Sequence, residues 1–85
     1  MLSTQAERHA RELRILITDG TLTRIGDADV GDGMTLPLDL AATIALSDLD
    51  DLTDLVADGI PVDEGRWRQL EADLEHLHRL ATPDA

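Results

Sequence analysis

Residues 21–38 read TLTRIGDADVGDGMTLPL, and the way this stretch is divided decides the fold. Thr21 to Ile25 is rich in Thr and Ile, while Met34 to Leu38 alternates so that Leu36 and Leu38 share one face. Both predict short strands. Pro37 has no N–H to give to a ladder, which confines the second strand to an edge. Between them, Gly26 to Gly33 holds three glycines and three aspartates with little to bury, a composition that predicts a loop.

On the N-terminal side, Ala6, Ala10, Leu13 and Ile17 recur at helical spacing. Ser3 or Thr4 can cap that helix, and Glu7 stands where a capping box from Thr4 needs its acid. Asp19-Gly20 then admits two readings, a helix stop or a two-residue hairpin turn between Arg14–Thr18 and Thr21–Ile25. The helical spacing favours a helix running to about Ile17.

On the C-terminal side, Leu40, Ala41, Ile44 and Ala45 form a short apolar stripe. Ser47 with Asp50 supplies a second capping box for a helix running to Ala57, stopped by Gly59 and Pro61. The last helix opens near Asp63, whose side chain is placed to cap it, and runs to about Leu80. Its apolar residues Trp67, Leu70, Leu74, Leu77 and Ala81 make a narrow seam of the kind two helices share. The expected fold is α+β and mainly helical: an N-terminal helix, a short β-hairpin, then two or three C-terminal helices. Residues 1–81 form one small domain, and residues 82–85, with Pro83, form a disordered tail.

A chain of 85 residues suffices for one core and not for two. There is no cysteine to staple it, and its 42% hydrophobic content is aliphatic apart from the single aromatic Trp67. No stretch approaches the roughly 18 apolar residues of a membrane span, and Met1 to Arg14 carries charges where a secretion signal is apolar. These features point to a cytoplasmic protein without membrane contact.

The net charge of -11 comes from 13 Asp and 5 Glu against 7 Arg, with no Lys. Such a field repels phosphate backbones, which argues against direct nucleic-acid binding and favours a basic protein partner. A high-salt cytoplasm, or a genome that favours Arg over Lys, accounts for the same bias through solubility alone.

Four constellations are candidates for function. Asp48, Asp51, Asp54 and Asp58 run beside the stripe Leu46, Leu49, Leu52, Leu55 and Val56, so one helix carries an acidic face suited to a basic partner. In size and charge the chain is similar to small acidic inhibitors of phage or plasmid origin that imitate the phosphate backbone of DNA. That resemblance implies an inhibitor or regulator of a nucleic-acid-binding partner. Asp27, Asp29, Asp32 and Asp39 resemble an EF-hand or dockerin-type calcium loop with one residue inserted before the third acid, which implies calcium as a ligand. Trp67, Leu70, Leu74 and Leu77 offer an alternative use of the last helix, as the seam of a homodimer.

Glu71, Glu75 and His78 lie along one helical face, but a carboxylate-rich metal site needs a second such motif and only one is present, so these read as solvent-facing side chains. For catalysis, no Cys or Lys exists, the three histidines lie near the chain ends, and neither a nucleophile elbow nor a phosphate loop occurs. The expectation is a non-enzymatic binding module with no cofactor.

Overall fold

The computed structural model describes residues 1–31 and 33–82. It is mainly helical: α1 (Thr4–Thr18), α2 (Thr21–Ile25), β1 (Asp27–Gly31), β2 (Met34–Pro37), α3 (Leu38–Ala57) and α4 (Glu64–Ala81). Helices flank one two-stranded antiparallel hairpin, as the chemistry of the sequence leads one to expect.

Ser3 caps α1, its Oγ accepting from the Ala6 N–H at 3.1 Å; Thr4 is instead the first helical residue, so the expected box between Thr4 and Glu7 does not form. Ala6, Ala10 and Leu13 are buried along its inner face. The helix ends at Asp19, and Gly20, at φ +83°, turns the chain.

The stretch that decides the fold is divided differently from the expectation. Thr21–Ile25 is helix α2 rather than a strand. In a strand, Leu22 and Arg24 would share one face, and burying one would bury the other. In a helical turn Leu22 is fully buried while Arg24 stays exposed. Asp19 supports this turn by accepting from the Thr21 N–H at 2.9 Å.

The expected loop contains the first strand instead. In Asp27–Gly31 the side chains alternate, with Ala28 and Val30 half-buried against the core and Asp27 and Asp29 outward. Two small apolar residues at period two are enough for a strand once a partner is adjacent. The register pairs Ala28 with Leu36 and Asp29 with Thr35, then shifts so that Gly31 faces Met34. Gly26 O accepts from the Leu38 N–H at 2.8 Å and closes the base of the hairpin.

Helix α3 is continuous, where the Ser47–Asp50 signature predicted a fresh start. Its buried positions Leu38, Ala41, Ala42, Ala45, Leu46 and Leu52 keep one helical stripe, and no Gly or Pro interrupts it. A capping signature has no effect where the backbone has no reason to break. The C-terminal stop is as expected: Ile60 N–H donates to Leu55 O and Gly59 N–H to Val56 O, with Gly59 at φ +79°.

Helix α4 lies against both α1 and α3, each of which packs on it more than on the other. Trp67, Leu70, Leu74, Leu77 and Ala81 are all buried, in one core with residues of α1, α2 and α3. Asp63 stands at the N-cap position, yet its side chain makes no capping bond. Thr82, assigned to the tail by sequence, closes α4 with its N–H and Oγ1 both donating to His78 O. The rest of that tail lies outside the described residues.

Candidate interaction surface

Asp48, Asp51, Asp54 and Asp58 are all exposed at the C-terminal end of α3. The stripe behind them splits: Leu46 and Leu52 are buried, Leu49 and Leu55 are half-buried, and Val56 is 53% exposed rather than part of the core. α3 carries no basic residue, and from Asp27 to Glu64 the sequence holds eleven acids and no Arg. Among the described residues, none of the four aspartates takes part in an ion pair or a side-chain hydrogen bond. Asp48, Arg66 and Asp73 line one shallow depression between α3 and α4.

Two of these acids stand where helix physics disfavours them. Asp54 lies in the last turn of α3 and Asp58 is its C-cap, at the negative end of the helix dipole. A carboxylate there costs about 0.3–1 kcal/mol relative to a neutral side chain. General solubility is served equally well by acids placed elsewhere.

Beside this face, a groove of about 560 Å³ runs between α1 and α3, floored by Ala10, Leu49 and Trp67 and edged by Arg11, Arg14 and Asp50. Arg14 and Asp50 also border a second hollow of about 450 Å³, lined by Ile17, Thr18, Thr43 and Leu46. Neither feature has a local sequence signal, because both depend on α1 meeting α3, two helices that touch through Arg14 and Asp50, 36 positions apart.

The other candidate sites are not assembled. Asp27 and Asp29 point outward from a strand, Asp29 Oδ1 accepts from the Gly31 N–H at 3.0 Å, and Asp39 sits in the first turn of α3 within reach of the Thr23 hydroxyl. Asp32 lies outside the described residues. Among the described residues, no three His, Asp or Glu side chains are grouped to hold a metal ion. Asp27 and Asp29 lie on a paired strand, whose extended backbone spreads side chains that a calcium loop would wrap around one point. Trp67, Leu70, Leu74 and Leu77 are buried inside a single chain, so they are not available as a dimer seam.

Glu71, Glu75 and His78, though one face in sequence, serve three different contacts. Glu71 accepts from the Ser3 N–H at 2.9 Å, Glu75 pairs with Arg79, and His78 pairs with Glu12 of α1 while stacking on His9 with ring centroids 4.3 Å apart. His78 is thus an interhelical residue rather than a solvent-facing one. No helix among the described residues is long and apolar enough to cross a membrane.

No protein-family model, no curated protein and no solved structure shows a match to this chain.

Proposed function

We propose that this protein is a non-enzymatic acidic interaction module, an inhibitor or regulator that engages a basic, nucleic-acid-binding protein through the C-terminal half of α3. One observation carries the reading: Asp48, Asp51, Asp54 and Asp58 are exposed, uncompensated by ion pairs among the described residues, and extend to the end of a helix where carboxylates oppose the dipole. Charges held on a rigid helix in this way form a one-sign field, which steers a cationic partner and repels nucleic acid.

The reading predicts an association weakened by salt. A pull-down from the native host at low and high salt, with mass identification and titration of the purified partner, tests it. Replacing Asp48, Asp51, Asp54 and Asp58 together by Asn should abolish binding and leave the helical circular dichroism unchanged. A partner that binds this fourfold variant with unaltered affinity ends the proposal.

A further inference from the structure

We infer that the small hollow between the β-hairpin, α3 and α4 receives the side chain of one lysine of the basic partner. This rests on the acidic-surface reading and gives that surface an anchoring point, because Asp48 belongs to both.

Ala41, Ile44, Ala45 and Asp48 recur at helical spacing, which places them on one face of α3, and Asp73 and Leu77 stand one turn apart on α4. With Val30 of β1 and Leu36 of β2 they line a hollow of about 170 Å³. Ala41, Ala45 and Leu77 are buried, Val30 and Leu36 are half-buried, and Ile44, 50% exposed, leaves an apolar surface open to solvent. Sites for whole small molecules run to roughly 300–1,000 Å³. This one suits the end of a single long side chain.

Charge selects which side chain. Among the described residues, the charged groups lining the hollow are Asp48 and Asp73, one from each helix and both exposed. Neither is in an ion pair there, and Asp73 Oδ1 accepts from Gln69 Nε2 at 3.1 Å. Arg66 lines the neighbouring hollow with the same two acids and does not line this one. An anion is repelled by this pair, and a neutral apolar group leaves both carboxylates uncompensated. A lysine lays its four-carbon stem along apolar surface and keeps its ammonium at the polar edge. Its compact charge serves two carboxylates from different helices, whereas the planar guanidinium of arginine is matched to one carboxylate at a time.

The test uses the full chain, isotope-labelled for NMR, with n-butylammonium as the probe for a lysine side chain. It should shift the methyl resonances of Val30, Ile44 and Leu77 saturably. Methylammonium, which lacks the stem, and butanol, which lacks the charge, should each bind about tenfold more weakly. Asp73→Asn and Ile44→Ser, both at exposed positions, should each weaken n-butylammonium binding about fivefold without changing the circular dichroism. Asp58→Asn removes the same charge away from the hollow and should leave that binding unchanged. Equal binding of methylammonium and n-butylammonium, or equal weakening by Asp58→Asn and Asp73→Asn, overturns the inference. Tighter binding of propylguanidinium overturns the choice of lysine. Asp73→Asn should also weaken association with the partner recovered at low salt about fivefold. If it does not, while the variant lacking Asp48, Asp51, Asp54 and Asp58 still loses the partner, the anchor falls and the acidic-surface reading stands. Retention of the partner by that variant ends both.

Discussion

Arg14 of α1 donates from Nη2 to Oδ1 of Asp50 on α3 at 2.9 Å, joining two helices whose residues stand 36 positions apart. The side chains are 48% and 63% exposed, so water screens the attraction from both sides. Pairs of this kind contribute about 0–1 kcal/mol. A double-mutant cycle of Arg14→Ala and Asp50→Ala, read by urea unfolding, should give a coupling energy below about 1 kcal/mol that vanishes in about 1 M salt. A larger, salt-insensitive coupling would show that this pair is structural rather than a weak latch.

Apart from Trp67 the core is aliphatic, and Leu74 is fully buried within it. Leu74→Ala should cost about 2–5 kcal/mol. A chain of 85 residues has a total stability of only about 4–13 kcal/mol, so this change alone leaves a marginal protein. Ile15→Ala, at a position 62% exposed, should stay within about 0.5 kcal/mol. Unfolding midpoints should also be independent of protein concentration, because Leu74 is buried by its own chain; a midpoint that rises with concentration would restore the dimer seam.

Gly20 sits at φ +83° with nothing within 4 Å of where a Cβ would stand. The cost of Gly20→Ala is therefore backbone strain alone, about 1–2 kcal/mol, and Gly20→Asn should cost less because Asn tolerates this region. A loss well beyond that range in thermal unfolding would mean that the α1–α2 corner is packed more tightly than its geometry indicates.

That corner marks where sequence reasoning stops. α1 and α4 were legible because each repeats an apolar residue every third or fourth position over many turns, and Gly59 because a glycine directly after such a pattern has one common use. Thr21 to Ile25 was not legible, since five residues hold too few periods to separate a strand from a turn of helix. Leu22 decided it by burial, which is a tertiary fact. Ala28 and Val30 were hidden among aspartates for a similar reason: two small apolar residues form a strand only when Leu36 lies opposite. In the candidate surface, the exposure of Asp48, Asp51, Asp54 and Asp58 followed from helical spacing. The groove between α1 and α3 did not, because spacing within α3 says nothing about how far α1 stands from it.

Asp19 has its carboxyl held below the ordinary range, chiefly by the side-chain hydrogen bond with Thr21, then by the Thr21 backbone N–H and more weakly by Arg24. A group whose pKa is lower folded than unfolded stabilises the fold above its unfolded pKa and loses that contribution as pH falls through the folded value. The α1–α2 corner should therefore loosen only in acid, below about pH 4. In an NMR titration the Asp19 carboxyl should have a midpoint below that of an unperturbed aspartate, and Thr21→Val should raise it. An unmoved midpoint in that variant would remove the hydroxyl as the cause.

Asp54 and Asp58 allow stability and binding to be separated within one pair of variants. Both stand at the negative end of α3, where a cation is favoured and an anion is not. If their role were only to keep the chain dissolved, replacing them would carry no penalty beyond solubility. Asp54→Arg and Asp58→Arg should each raise stability by about 0.3–1 kcal/mol, measured by urea unfolding at low salt, and the gain should shrink as salt is added. The same substitutions should weaken association with the basic partner. Opposite signs in the two measurements on the same protein indicate that the acids are kept at a cost in stability for the sake of contact. Gains in stability with unchanged association would instead leave the acidity of α3 as a property of composition.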